Sequence, residues 1–378
     1  MSVHPEPATE RAWIDAGLLD PTATNADERR ELLAFLESRG VPLDEMVRAC
    51  EDGQLVVAAG DRELRPGARF TIDELIRRTG VDDAEFAVQL RVATGFPPPE
   101  PDVAAFTDDD VEMFRLFGLA SAFFSRDELL HFTRVMGTSM RRIAEAAAEM
   151  FLRDVEAAQH EERATELQRA ITNMQAIELS QEATSIFAPM FRSHLALATE
   201  ATRRARRHHH DYDTTPLTVG FVDLTGFTER AGVSSPAELL RLVTWFEATA
   251  HDLITSHGGR LVKLIGDEVM FTTVEPDEAC TIALGLTQVA DAPARGGLAH
   301  GEVITSGGDV YGRVVNLAAR VVDVAIPGEV LVDDALVEAM RTDAHVRTRY
   351  AVEPAGRRLL KGFAEPVRLW SLATDRAG

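Results

Sequence analysis

The spacing of apolar residues changes character about halfway along this chain of 378 residues. In the first half, apolar side chains recur every three or four positions, which is typical of amphipathic helices. After a basic segment that ends at Pro216, short runs rich in β-branched and aromatic residues alternate with helical patterns. In the first half, helices are predicted at roughly 27 to 39, 72 to 79, 108 to 124, 127 to 158, 161 to 187 and 190 to 207.

The second half predicts a sheet covered by helices. Its pattern gives a strand over 217 to 223, a helix over 236 to 257, a hairpin over 260 to 273, a helix over 276 to 290, a strand over 296 to 305, a helix over 313 to 325 and terminal strands. This order matches a ferredoxin-like βαββαβ fold. We therefore predict an α+β protein with an all-α domain over 1 to 189, a connecting helix or linker over 190 to 213 and a ferredoxin-like domain over 214 to 378.

Two aspartates follow apolar runs at turns that contain glycine. Asp223 ends the first predicted strand, and Asp267 follows Gly266 in the predicted hairpin. One such aspartate is usually only a turn former. Two carboxylates converging on one spot would repel each other unless hard divalent cations lay between them, and such cations bridge phosphates and activate an attacking oxygen. The pair therefore suggests a two-metal phosphoryl site.

The residues that follow Asp223 favour an anion-binding turn. Gly226 permits a tight turn, and a helix beginning at Thr228 would direct free backbone N–H groups towards a phosphate. Gly226, Phe227 and Thr228 are accordingly candidate substrate-binding residues.

A third motif lies in the helix predicted from residue 313. Asn316 and Arg320 are four positions apart and would project from the same face. An amide and a guanidinium pointing together can hold a ribose and an α-phosphate, because arginine donates several charge-assisted hydrogen bonds. A solvated helix surface would explain either residue alone, but not both residues beside the aspartate pair.

With these motifs in place, residues from about 214 to 373 resemble the catalytic domain of class III nucleotidyl cyclases, specifically adenylyl cyclases. The resemblance implies that Asp223 and Asp267 hold two Mg²⁺ or Mn²⁺ ions per site, with the carbonyl of Leu224 as an extra ligand. It also implies roles for five further side chains: adenine recognition by Lys263 and Asp309, transition-state stabilisation by Asn316 and Arg320, and contact with the terminal phosphates by Lys361.

The implied reaction is attack by the ribose 3′-oxygen of ATP on the α-phosphorus, which gives 3′,5′-cyclic AMP and pyrophosphate. Guanylyl cyclases of this family typically carry Glu and a small residue such as Cys in place of Lys263 and Asp309, so adenine is favoured over guanine. A degenerate nucleotide-binding or dimerisation module is one alternative. A diguanylate cyclase is another, although the turn at Gly266 lacks that family's second glycine and final phenylalanine.

The resemblance also implies an assembly. In the family, the metal-binding acids and the base-reading residues of one site come from opposite subunits. Lys263 precedes Asp267 by only four residues, so a chain with both sets is expected to form a head-to-tail homodimer with two equivalent sites. A monomer is expected to be inactive.

The helical half resembles the regulatory domains of actinobacterial, mycobacterial-type soluble cyclase holoenzymes, in its layout and in runs such as 70 to 76. We expect it to dimerise through its long helices and to set the relative orientation of the catalytic domains. A small-molecule, lipid-like or proton effector is left open as the signal. His208, His209 and His210 at the end of a basic helix suggest a pH sensor, although a solvated basic linker is the simpler interpretation.

The net charge and the composition limit the classes of binding partner that we expect. A net charge of −22 argues against nucleic acid or an anionic membrane surface. The segment around Phe70 resembles a MerR-like helix-turn-helix, but its second helix would present Asp82 and Asp83 to DNA phosphates. Neither a signal peptide nor a membrane span is expected. Cys50 and Cys280 lie in different predicted domains and give no disulfide framework, which favours the reducing cytoplasm.

Overall fold

The computed structural model describes residues 7–64, 67–80, 83–157, 164–206, 214–226, 232, 234–288, 293–341 and 349–374. The chain divides into two compact units, Met1–Phe191 and Arg192–Gly378, called here the helical unit and the sheet unit. The domain boundaries predicted at 189 and 213 stay a prediction. The histidines proposed as a pH sensor, His208 to His210, lie outside the described residues.

Several helices of the helical unit begin at side-chain caps. Thr71, Thr107 and Thr165 each start a helix through a capping box, in which the threonine and the third helical residue satisfy each other's backbone N–H groups. Within the described ranges, no helix is both long and apolar enough to cross a bilayer. The α-helices of this unit are α1 Pro7–Asp15, α2 Ala26–Ser38, α3 Leu43–Glu51, α4 Ala58–Leu64, α5 Ile72–Thr79, α6 Ala84–Ala93, α7 Asp108–Ala120, α8 Arg126–Phe151 and α9 Glu166–Ala183. A further helix, α10 Phe187–Ala205, crosses the boundary between the two units.

Two apolar cores hold the helical unit together. The first surrounds Trp13 and the buried leucines of α2, and it includes Met174 of α9. The second surrounds Phe106 and Phe114, whose rings meet edge to face at 6.0 Å. Several apolar side chains on α7 and in the α7–α8 turn are exposed to solvent. For example, Phe123 is 85% exposed and Phe124 is 60% exposed. Part of the apolar sequence over 114 to 124 is therefore exposed in the single chain.

The sheet unit alternates strands and helices in the predicted order. Its core is the ferredoxin-like arrangement β2-β3-β1-β4, in which β1 lies antiparallel between β3 and β4. Strand β6 adds to β4 in parallel, β8 and β7 follow, and β5 pairs with β4. The α+β class and the ferredoxin-like core are confirmed. The elements are β1 Thr215–Leu224, α11 Pro236–Ser256, β2 Arg260–Ile265, β3 Glu268–Thr273, α12 Pro276–Thr287, β4 Ala294–Ser306, β5 Asp309–Tyr311, α13 Arg313–Val324, β6 Val330–Asp333, α14 Asp334–Arg341, β7 Tyr350–Arg358 and β8 Val367–Thr374.

Both faces of the sheet are covered, which explains why its central strand β1 is buried along most of its length. On one face, Val219 and Phe221 of β1 pack with residues of α13; on the other, Val222 packs with residues of α11 and α12. Gly297 of β4 lets α13 approach closely, because a Cβ at this position would lie 2.3 Å from the backbone nitrogen of Val322. The sequence thus places α13, the helix with Asn316 and Arg320, directly on the central strands.

Asp333 is a buried carboxyl group at the end of β6. Its Oδ1 accepts the backbone N–H groups of Leu336 at 2.9 Å and His300 at 3.3 Å, so it caps α14. Burial nevertheless raises the pKa of Asp333 from 3.8 to about 6, and the neighbouring Asp334 adds to this shift. The folded chain therefore holds a proton at Asp333 more tightly than the unfolded chain does.

Replacing Asp333 with asparagine should stabilise the protein at neutral pH but not in acid. Because the pKa of Asp333 is raised in the folded chain, the free energy of unfolding falls as pH rises from about 4 to about 6. Above that range, the ionised carboxylate lowers the free energy of unfolding by its full amount, on the order of 2–3 kcal/mol. Asparagine keeps the capping oxygen and removes the charge. Urea unfolding of the variant and wild type at several pH values between 5 and 7.5 would measure this, and a stability difference independent of pH would contradict it.

Candidate active site

The two predicted metal ligands lie at the same end of the sheet. Asp223 is near the end of β1, and Asp267 is in the β2–β3 turn, where Gly266 adopts a φ of +67°. The register pairs Asp223 with Glu268, and the backbone N–H of Leu224 donates to the carbonyl of Asp267 at 3.3 Å. These contacts hold the strand end and the hairpin turn together, as a two-carboxylate site requires.

Ionisation is disfavoured for two carboxyl groups at this end of the sheet, those of Asp267 and Glu268. Burial raises the pKa of Asp267, and the charge of Asp223 adds to the shift. Burial also raises the pKa of Glu268 to about 7, with Asp223, Asp323 and Asp267 acting in the same direction and Arg295 opposing them. A cation bound here would offset the repulsion among these negative charges.

The available donors suit hard divalent ions that arrive with a triphosphate. In the parts of the chain that the structure describes, no group of three or more His, Cys, Asp or Glu side chains is placed to hold a metal ion. The site offers instead a pair of carboxylates and the main chain at Leu224. Mg²⁺ commonly binds through one or two carboxylates together with substrate phosphates, and Mn²⁺ prefers the same oxygen ligands. The residues therefore fit the predicted metals.

The predicted base-reading pair is in contact. Lys263 Nζ donates to Asp309 Oδ2 at 2.6 Å, which joins β2 to the start of β5. Burial acts against ionisation of Asp309, but this hydrogen bond and the N–H of Val310 hold its pKa below the usual value. Arg260 was not predicted as a site residue, yet its Nη1 donates to the carbonyl of Gly308 at 2.7 Å and so fixes the turn before Asp309.

The predicted transition-state pair lies on α13. Asn316 is exposed, and Arg320 Nη1 donates to Asp323 Oδ2 at 2.7 Å one turn further along the helix. Lys361 is exposed in the β7–β8 turn, next to Leu360, which packs with Val321 of the same helix. The turn with Lys361 is thus fixed to the helix with Asn316 and Arg320.

The predicted phosphate-binding turn is only partly described. Gly226 has a φ of +75°, a left-handed conformation that favours glycine. Phe227 and Thr228, and with them the predicted helix start, lie outside the described residues. The next described helix is α11, which begins at Pro236.

Sequence reasoning missed Arg295, which binds Asp223. Its Nε and Nη2 donate to Asp223 Oδ2 at 3.0 Å and 2.8 Å. The two residues are direct neighbours on β1 and β4, although they are far apart in the sequence. Only the strand register brings them together, so no local motif could have indicated the pair.

Comparison with known proteins identifies the family. No protein-family model matches the chain. A protein named pH-sensitive adenylate cyclase from Mycobacterium tuberculosis is 31% identical in an alignment 378 residues long. The alignment covers 95% of this chain and 91% of the relative. A protein named adenylate cyclase from Streptomyces coelicolor is 33% identical and covers 75% of this chain and 73% of the relative. The chain belongs to the class III adenylate cyclase family.

Adenylate cyclase similarity extends beyond the sheet unit. The match to the M. tuberculosis adenylate cyclase covers 95% of the chain, so it includes most of the helical unit as well. An uncharacterised protein from the same organism is 32% identical over 92% of this chain and 91% of its own length. Membership of the adenylate cyclase family therefore applies to the two-unit protein and not only to its sheet unit.

Proposed function

We propose that this chain converts ATP to 3′,5′-cyclic AMP and pyrophosphate in the cytoplasm, at sites shared between two copies of the chain. One observation carries the proposal. Asp223 and Asp267 lie at one end of the sheet, and Lys263 of β2 contacts Asp309 of β5. This placement supports assigning the family's catalytic roles to these residues.

Asp223 and Asp267 would hold the two divalent ions, Mg²⁺ or Mn²⁺, with the carbonyl of Leu224 as a further ligand. When bound, the ions would lower the pKa of the ribose 3′-hydroxyl and offset negative charge on the pyrophosphate. Both acids lie beside carboxyl groups whose pKa values are raised, so cations are electrostatically favoured there.

The remaining side chains would bind and orient ATP. Lys263 offers a donor and Asp309 an acceptor, which complements the N1 and N6 edge of adenine. Asn316 would orient the ribose, and Arg320 would stabilise negative charge on the α-phosphate as the 3′-oxygen attacks. Lys361, with Gly226, Phe227 and Thr228, would contact the phosphates.

We also propose that two chains associate head to tail and that the helical unit controls their catalytic domains. Exposed apolar side chains on α7, α8 and the turn between them support association through this unit. One relative is named a pH-sensitive adenylate cyclase, which favours a proton over a lipid or another small molecule as the signal. Because each proposed site uses residues of both chains, a small rotation would separate them.

Identification of the products formed from ATP and GTP would test the proposed reaction. The two-unit protein should form cyclic AMP from ATP with Mn²⁺, and GTP should react at least about tenfold more slowly because Lys263 and Asp309 would complement adenine and not guanine. Failure to form a cyclic nucleotide from either substrate would support the degenerate binding module. Formation of cyclic di-GMP from GTP would support a diguanylate cyclase.

A further inference from the structure

One side chain, Arg295, connects the proposed metal site to the proposed transition-state helix. Its Nε and Nη2 donate to Asp223 Oδ2, and its Nη1 donates to the main-chain carbonyls of Asp323 at 3.0 Å and Ala325 at 3.4 Å. Asp323 and Ala325 lie in the last turn of α13 and at its C-terminal cap. A single guanidinium thus joins β1, β4 and α13.

Arg295 contacts only one of the two carboxylate oxygens of Asp223. Both hydrogen bonds from Arg295 reach Oδ2, and within the described residues no side-chain hydrogen bond to Asp223 Oδ1 is found. The side chains of Arg295 and Asp223 are only 27% and 19% exposed, so water screens this pair less than it would a surface pair. The carboxylate is therefore held in one orientation with its second oxygen unused.

Arg295 also opposes the excess negative charge of this end of the sheet. Its guanidinium forms an ion pair with Asp223 at 2.8 Å, and Asp223 lies opposite Glu268 in the register of β1 and β3. An arginine remains protonated under all ordinary conditions, so this positive charge is permanent. A divalent ion that binds Asp223 must therefore approach a site that already contains a cation.

We propose that Arg295 is a positioning residue that serves as the resident cation of the metal site. It orients Asp223 through Oδ2, leaves Oδ1 for a metal ion and lowers the affinity of the nucleotide-free protein for that ion. Metal binding then depends on the extra negative charge that the triphosphate brings. The same side chain fixes the end of α13, whose Asn316 and Arg320 belong to the other site of the proposed dimer, so Arg295 couples the two sites. The inference rests on the proposed function only where it assigns Asp223 and α13 to catalysis.

The proposed effect of the Arg295 charge on metal affinity can be tested with Mn²⁺ alone. Full-length wild type and Arg295→Gln would be titrated with Mn²⁺ without nucleotide, and free Mn²⁺ would be followed by electron paramagnetic resonance. Loss of the positive charge should tighten Mn²⁺ binding about tenfold. Arg349→Gln is a matched control, since Arg349 forms a similar ion pair with Asp277 at 2.8 Å outside the proposed site, and its Mn²⁺ affinity should equal that of wild type.

A second variant separates charge from positioning. Arg295→Lys keeps the charge but cannot donate to Asp223 and to both carbonyls together, so Mn²⁺ affinity should stay near wild type. Its kcat should fall about tenfold or more, while the KM for ATP changes little, because α13 is no longer fixed at its end. In the double variant Asp223→Asn, Arg295→Gln, the gain in Mn²⁺ affinity should disappear.

The outcomes distinguish this inference from the proposed function. Equal or weaker Mn²⁺ binding by a folded Arg295→Gln protein overturns the resident-cation role, even where cyclic AMP is formed. If Arg295→Gln does not fold, tighter Mn²⁺ binding by Arg295→Lys overturns it, because that variant keeps the charge. Tighter binding by Arg295→Gln supports the role whether or not ATP is cyclised, since the titration contains no nucleotide.

Discussion

Replacing Asp267 with asparagine should lower kcat for cyclic AMP formation by at least about a thousandfold, because the amide cannot supply the negative charge that two divalent ions require. The variant keeps the size of the side chain and the β2–β3 turn. Product formation from ATP with saturating Mn²⁺ would measure the effect. The exposed Asp252 on α11 offers a matched control, since its side chain is 86% exposed and Asp252→Asn should react at the wild-type rate.

Loss of folding would not explain this result. Burial and the charge of Asp223 raise the pKa of Asp267, so the ionised carboxylate is unfavourable in the folded chain when no cation is bound. Removing its charge should therefore leave the unfolding temperature unchanged or raise it. A variant that keeps more than about a tenth of the wild-type kcat would contradict the assignment of Asp267 as a metal ligand.

The candidate catalytic motifs could be recognised in the sequence because each combines a local residue pattern with the period of a strand or a helix. The apolar run before Asp223 predicts a buried strand, and glycine before Asp267 predicts a tight turn. Their convergence then follows from the ferredoxin-like strand order. The four-residue spacing of Asn316 and Arg320 likewise places them on one face of a helix, and α13 spans both.

Contacts between distant elements could not be predicted in this way. Arg295 reaches Asp223 only through the register of β1 and β4, and a shift of one residue would turn its side chain to the other face. Arg260 has no distinctive spacing, and its contact with Gly308 depends on the turn between β4 and β5. Short helices such as α4, Ala58–Leu64, were also missed, because seven residues hold too few apolar positions to establish a helical period.

Complementation between two inactive variants would test whether the active sites are shared. Asp223→Ala removes a proposed metal ligand, and Asn316→Ala removes a proposed transition-state residue, so each homodimer should be inactive. In a heterodimer, one site combines both defects, and the other combines the intact metal residues of one chain with the intact Asn316 of its partner. Heterodimers purified after co-expression with two different affinity tags should therefore show about half of the wild-type activity.

The matched control combines two chains that each lack one of the proposed metal ligands. A heterodimer of Asp223→Ala and Asp267→Ala chains carries one damaged metal half in each site, so it should remain inactive. Sites contained within a single chain would leave both kinds of heterodimer inactive, because every chain carries a defect. Recovery by the first pair and not by the second therefore requires that Asp223 of one chain acts with Asn316 of the other, which makes dimerisation a condition of catalysis.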